Sequence, residues 1–133
     1  MGKFLETETL MSQTISISPI NSLLFLSDVD GGEPPVPVWG AQILSTSSSI
    51  SFACYPEQDG PTEVTIGLRA EVNPGGPPSF EGELETPNRS VVVSTVDQKI
   101  VLKAAVPTGL THVCIWLSHP RWPDKITIGL GTS

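Results

Sequence analysis

The chain has 133 residues, of which 38% are hydrophobic, so it can bury one core without disulfides or metal ions and lacks the composition of a disordered protein. Fourteen acidic residues against seven basic ones give a net charge of −7 at pH 7, which repels phosphate backbones and argues against direct binding to nucleic acid. An acidic surface of this kind suits docking onto a basic partner.

We predict no secretory signal at the start of this sequence. Glu6 and Glu8 interrupt the apolar region that a secretory signal needs, and no apolar run approaches the ~18 residues of a membrane span. We therefore predict a flexible arm over residues 1–12, a single domain over residues 13–133, and a cytoplasmic protein without a membrane span.

Alternation of polar and apolar residues, broken repeatedly by 13 prolines and 12 glycines, predicts short strands separated by tight turns. The run at 22–26 is so short that periodicity does not distinguish a strand from a turn of helix. The predicted strands cover residues 14–18, 22–26, 50–55, 63–69, 80–85, 91–93, 100–102, 111–117 and 125–130. This spacing is typical of an all-β fold, an antiparallel β-sandwich of about eight or nine short strands.

Two proline-rich segments separate predicted strands, at residues 28–39 and 73–78. Proline has no amide donor, so neither segment belongs in a central strand. We interpret both as crossovers from one sheet to the other, which favours a sandwich over a closed barrel.

Cys54 and Cys114 both lie in apolar, strand-like runs, which favours two buried thiols. The two cysteines form a disulfide only if their strands face each other at bridging distance. His112 shares a strand face with Cys114, but such residues stand roughly 6–7 Å apart, beyond the reach of a catalytic hydrogen bond. We expect no nearby acidic residue to orient the imidazole. We therefore do not predict an enzyme.

Carboxylates cluster in the first proline-rich segment, where Asp28, Asp30 and Glu33 surround two glycines. Calcium binds carboxylate and carbonyl oxygens supplied by a flexible loop, so these three residues are candidate calcium ligands. The alternative is an acidic, solvated turn, because Asp and Gly are ordinary turn residues. No other cofactor is expected.

A second group of carboxylates, Glu81, Glu83 and Glu85, occupies alternate positions of a predicted strand. Alternation places them in a row on one face, about 6.6 Å apart, close to the ~6–7 Å spacing of phosphates along one strand of nucleic acid. Such a row can occupy a phosphate-binding groove of a protein partner. The alternative is the solvent face of an edge strand, where charges oppose aggregation.

Two tryptophans and an arginine are further candidates for partner binding. Trp39 and Trp122 stand in loops beside proline and glycine, and Arg121 precedes Trp122. Exposed aromatic and arginine side chains in loops commonly anchor protein partners. The alternative is that each tryptophan caps the core.

The order of segments carries one further signal. An alternating strand at 15–17 leads to a proline-rich loop and a tryptophan, and a serine-rich strand follows at 47–52. The later segments at 91–95, 99–102, 107–109 and 114–116 complete the pattern. Over roughly residues 13–118 this order resembles the competence protein J family, small acidic inhibitors of a bacterial DNA-entry nuclease.

The resemblance implies a compact β-protein that binds and blocks a nuclease, and it transfers no particular inhibitory residue to this chain. We therefore interpret the chain as an acidic protein-binding module, an inhibitor or immunity-like partner of a nuclease that docks carboxylates onto a basic site. The alternative is a β-sandwich that binds calcium or a small ligand. The pattern sets neither the identity of the partner nor an oligomeric state.

Overall fold

A computed structural model describes residues 12–38 and 40–131, and it contains two five-stranded sheets that pack face to face. In spatial order, sheet A consists of β1 (Gln13–Ile17), β5 (Thr62–Leu68), β10 (Lys125–Leu130), β9 (Leu110–Leu117) and β6 (Phe80–Glu85). In the same way, sheet B consists of β3 (Ile43–Ser45), β4 (Ser49–Ala53), β2 (Leu23–Asp28), β7 (Ser90–Ser94) and β8 (Ile100–Ala105). The predicted all-β sandwich is confirmed.

The core forms because alternate residues of each strand point to the same side. Val64 and Ile66 of sheet A face Leu24 and Leu26 of sheet B, and all four side chains are fully buried. The apolar positions of the sequence therefore specify which face of each strand turns inward. The run at 22–26 lies within β2 except for its first residue, so it is strand and not a turn of helix.

Alternation of polar and apolar residues did not predict strand β3 or the parallel direction of one strand pair. Strand β3 has only three residues, too few for alternation to be recognised. Strands β5 and β10 run parallel, with Ile126 opposite Val64, whereas the remaining strand pairs are antiparallel. Side-chain alternation is the same in both directions, so it carries no information on this point.

The two proline-rich segments are not crossovers, and that expectation is wrong. The first connects β2 to β3 within sheet B, and the second leads to β6 within sheet A. The chain changes sheets instead at short connections: 18–22, 54–61, 86–89 and 106–109. Packed sheets lie about 10 Å apart, and about three extended residues span that distance, so these connections are long enough.

A short helix, α1 (Arg69–Val72), and the segment after it cover part of the outer face of sheet A. The indole Nε1 of Trp116 donates a hydrogen bond to the carbonyl of Gly76 at 3.2 Å. A Cβ atom on Gly129 would lie 2.9 Å from the Trp116 ring, so glycine is needed there for close packing. This cover explains why Trp116 is buried on the face turned away from the core.

Residues 1–11, which make up nearly all of the predicted arm, lie outside the described residues. Within residues 12–38 and 40–131, no helix is long and apolar enough to cross a membrane.

Replacing a buried core leucine should cost far more stability than replacing an exposed one. Leu26→Ala removes a side chain that is fully buried between the sheets, and we expect the free energy of unfolding to fall by about 2–5 kcal/mol. Leu110→Ala is the matched control, because Leu110 is 52% exposed, and we expect a loss below about 1 kcal/mol. Urea unfolding measures both, and equal losses would contradict the assigned core.

Candidate functional site

The glutamate row lies on β6, the strand at one edge of sheet A. Glu81, Glu83 and Glu85 are exposed, whereas Leu84 between them is fully buried in the core. The predicted common face of the three carboxylates is therefore present. Their role in binding a partner stays a prediction.

Pairing of β6 with β9 places a histidine directly beside this row. Glu83 is the cross-strand partner of His112, and Glu81 is the partner of Cys114. The Nε2 atom of His112 lies 2.7 Å from Oε2 of Glu81, and its Nδ1 atom lies 3.5 Å from Oε2 of Glu83. The expectation that no carboxylate orients His112 is wrong, because the carboxylates come from a strand distant in sequence.

Glu81 is the most strongly engaged member of the row. Besides His112, it meets the guanidinium of Arg69, whose Nη1 lies 3.4 Å from the same oxygen, Oε2. The hydrogen bond with His112, helped by the positive charge of Arg69, holds the pKa of Glu81 below its ordinary value. Glu83, which is 56% exposed, and Glu85 therefore carry the row's less compensated negative charge.

The Cys114 thiol lies beneath Glu81 and His112 and is fully buried. Burial raises its pKa, so the thiol stays protonated at neutral pH and is a poor nucleophile. Both imidazole nitrogens of His112 already face glutamates, which leaves no nitrogen dedicated to the thiol as a base. The pair of Cys114 and His112 does not form an activated dyad.

Together, Glu81, His112 and Cys114 form a cluster of potential metal ligands. One carboxylate oxygen, one imidazole nitrogen and the Sγ atom all lie within 4.8 Å of one another. No second group of three such residues occurs in the described ranges 12–38 and 40–131. The sequence did not suggest this cluster, because only the pairing of β6 with β9 assembles it.

Cys54 and Cys114 are both free. Cys54 lies in the core between the sheets, whereas Cys114 lies on the opposite, outer face of sheet A. Burial raises the pKa of Cys54 to about 12. The expectation of two buried thiols is confirmed. The two cysteines do not form a disulfide, because they lie on different faces.

The candidate calcium ligands are organised by an asparagine. Both carboxylate oxygens of Asp28 accept hydrogen bonds from Asn88. The backbone amide of Asn88 donates to Oδ1 at 2.9 Å, and its side-chain Nδ2 donates to Oδ2 at 2.7 Å. The same Nδ2 contacts Oδ2 of Asp30 at 2.8 Å. Glu33 does not join them in a compact ligand group within the part of the chain that the structure describes. A calcium ion would have to displace Asn88, and the calcium site stays a prediction.

Asp28 itself is 2% exposed and serves as a structural carboxylate. Burial alone would raise its pKa, but the hydrogen bonds from Asn88 and from the Asp30 amide outweigh burial and lower the pKa. The backbone beyond it is tied to sheet B, because the Glu33 amide donates to Oγ of Ser48 at 2.9 Å. This arrangement explains why acidic residues occur here without requiring a metal ion.

Arg121 and Trp122 are exposed in the connection between β9 and β10, and Trp122 remains 51% accessible to solvent. The Nδ1 atom of His119 accepts hydrogen bonds from the backbone amides of both residues, at 3.0 and 2.9 Å. These two bonds stabilise the turn. The core-capping alternative therefore does not describe Trp122. This turn follows Leu117 at one end of β9, whereas Glu85 pairs with Leu110 at the other end. Trp122 and Glu85 therefore lie at opposite ends of the strand. Trp39 lies outside the described residues.

Two cavities adjoin these candidates. One of about 250 Å³ opens where β8 connects to β9, and its mostly apolar lining includes Leu110 and Leu130 together with Glu83 and His112. The other, of about 470 Å³, lies beside residues 30–34 on the outer face of sheet B. The second cavity is the place where the small-ligand alternative would apply, and that alternative also stays a prediction.

Comparison with known proteins supports the fold. No protein-family model matches the chain, and no curated protein matches its sequence. Among solved structures, the chain is similar to ComJ from Bacillus subtilis, described as an inhibitor of the DNA-degrading activity of NucA. The two share 15% sequence identity with a TM-score of 0.61, over 92% of this chain and 96% of that one. The resemblance predicted from segment order is thus confirmed as a shared fold.

The carboxylate of Asp28 should stabilise the protein only where it is ionised. Asp28→Asn places an amide donor against Asn88, so we expect a loss of about 1–3 kcal/mol in the free energy of unfolding at pH 7. Because the folded pKa lies below the unfolded value of about 3.9, the contribution is complete above that value and disappears as pH falls through the folded pKa.

Urea unfolding of the wild type and Asp28→Asn between neutral and acidic pH measures this difference. The exposed Asp59→Asn is the matched control and should change stability little at any pH. A difference between wild type and Asp28→Asn that stays constant down to strongly acidic pH would exclude ionised Asp28 as its source.

Proposed function

We propose that the chain binds and inhibits a nuclease, presenting the carboxylates of β6 to a basic substrate-binding cleft. The observation that carries this proposal is the fold shared with ComJ, a nuclease inhibitor, across 92% of the chain. The net charge of −7 agrees with it, because proteins that bind nucleic acid present basic residues to the phosphates. An acidic protein surface can compete for the same residues.

The row on β6 supports the proposal through its spacing and its rigidity. Alternate strand residues stand about 6.6 Å apart, close to the spacing of successive phosphates along a strand of nucleic acid. Glu83 and Glu85 extend from a strand held by β9, so their backbone is already ordered when they meet lysine or arginine. We expect them to contribute chiefly to the association rate and to specificity.

Apolar surface next to the row supports the same proposal. Leu110, the cross-strand partner of Glu85, is 52% exposed and lines the cavity of about 250 Å³. A stable protein interface needs an apolar centre as well as charged groups around it. The cavity offers a recess for a partner side chain, and the exposed Trp122 offers a second anchor beyond the other end of β9.

Inhibition of DNA degradation tests the proposed function directly. We expect the chain to suppress plasmid degradation by the NucA-type nuclease of its own host at near-equimolar concentration. An unrelated acidic protein of similar net charge is the control, because a general polyanion effect would act equally. Full nuclease activity with the chain at about 10 μM, where a Kd of about 1 μM already gives roughly 90% occupancy, would contradict inhibition.

Reversing the charge of the row separates the docking surface from the fold. In Glu83→Lys/Glu85→Lys we expect affinity for the nuclease to fall at least about tenfold, mainly through slower association and with weaker salt dependence. The matched control is Glu57→Lys/Asp59→Lys, which makes the same charge change in the exposed turn before β5, at the other end of the sheet. Equal losses in both variants would assign the effect to net charge and not to the row.

A further inference from the structure

We propose that the outer face of β6 and β9 binds a divalent transition-metal ion of the zinc class, held by Glu81, His112 and Cys114. A carboxylate oxygen, an imidazole nitrogen and a thiolate are the three ligand types that zinc takes in proteins. Their ligand atoms already lie within 4.8 Å of one another. The inference is independent of the proposed nuclease inhibition.

The backbone supplies the arrangement. Glu81 and Cys114 are opposite each other in the ladder, and His112 is two residues from Cys114 on the same face. Directly opposed residues of an antiparallel pair have Cα atoms about 4.5–5.5 Å apart. Ligands carried by paired strands are held more exactly than ligands carried by loops. The site therefore requires side-chain rotation but no change in the sheet.

The rotations needed are small. Zinc bonds of about 2.0–2.3 Å in a tetrahedral arrangement place ligand atoms roughly 3.3–3.7 Å apart. The 2.7 Å contact between Glu81 and His112 would open slightly, and the Sγ atom of Cys114, which lies within 4.8 Å of both ligand atoms, would adopt the same separation from them. Glu81 is 45% exposed at its side chain, so it is free to move toward solvent as the ion binds.

Glu83 completes the arrangement as a positioning residue. Its Oε2 lies 3.5 Å from Nδ1 of His112, the nitrogen on the side of the ring away from Glu81. A metal-binding histidine almost always donates its other N–H to a carboxylate or carbonyl, which keeps the ligating nitrogen unprotonated. In the metal-free protein Nε2 donates its proton to the ionised Glu81 at 2.7 Å, so on metal binding the ring proton moves from Nε2 to Nδ1, toward Glu83. Nε2 then presents its lone pair to the ion, and a fourth position remains for water.

Metal binding must displace the Arg69 guanidinium and remove the proton of the Cys114 thiol. The Arg69 guanidinium, 3.4 Å from Glu81, would give up this contact to the ion. The Cys114 thiol would release its proton to solvent as the sulfur–metal bond forms, so one proton leaves for each ion bound by the thiolate. The negative charges of Glu81, Glu83 and the new thiolate offset the repulsion between Arg69 and the ion.

Cobalt(II) is the probe, because a cobalt–thiolate bond gives a charge-transfer absorption that carboxylate and imidazole ligands do not produce. We expect the reduced full chain to bind one Co²⁺ with this absorption, and Zn²⁺ to displace it. Cys114→Ser should abolish the absorption. Cys54→Ala is the matched control, because Cys54 lies in the core away from the cluster, and it should leave the absorption unchanged.

A second pair of variants keeps the test decisive should Cys114→Ser fail to fold. Glu83→Gln removes only the carboxylate that orients His112, and we expect a 10–100-fold loss in Co²⁺ affinity with the charge-transfer absorption retained. His112→Gln removes a direct ligand and should lose affinity further. Absence of the absorption in the folded wild type, its persistence in Cys114→Ser, or unchanged affinity in both His112→Gln and Glu83→Gln would overturn the proposed site.

Discussion

Burial of alternate apolar side chains between the two sheets is the constraint on which the rest of this molecule depends. Leu24 and Leu26 of one sheet and Val64 and Ile66 of the other are fully removed from solvent. Each strand is thereby fixed in rotation about its own axis, because a shift by one residue would exchange its two faces. Once the inward faces are set, the outward residues of each strand are set as well.

The outer face of sheet A shows what this constraint makes possible. Helix α1 and the glycine- and proline-rich segment after it cover Trp116, while Glu81 and His112 lie against Cys114 on the same face. A buried thiol, a partly exposed imidazole and exposed carboxylates therefore meet within a few ångströms. Such a gradient from apolar to charged surroundings is typical of sites that bind a ligand or a partner.

The two proposals use the same strand in different ways. Inhibition of a nuclease depends mainly on Glu83 and Glu85, the carboxylates that retain most of their exposed charge. Metal binding depends mainly on Glu81, which already has cationic and imidazole neighbours. Glu83 belongs to both arrangements, so an ion bound at the cluster would hold it against His112 and change the charge that the row presents to a partner.

The sequence by itself determined nine of the ten strands in the described residues, their inward faces and the common exposed face of Glu81, Glu83 and Glu85, because all of these follow from a two-residue period. It also indicated that both cysteines are buried, because both lie in apolar runs. Only the tertiary structure decided that Glu81 meets His112, that β5 and β10 run parallel and that the proline-rich segments stay within one sheet. Alternation specifies which way a side chain points from its own strand. It does not specify which strand becomes the neighbour, since backbone hydrogen bonds between strands are the same whatever side chains they carry.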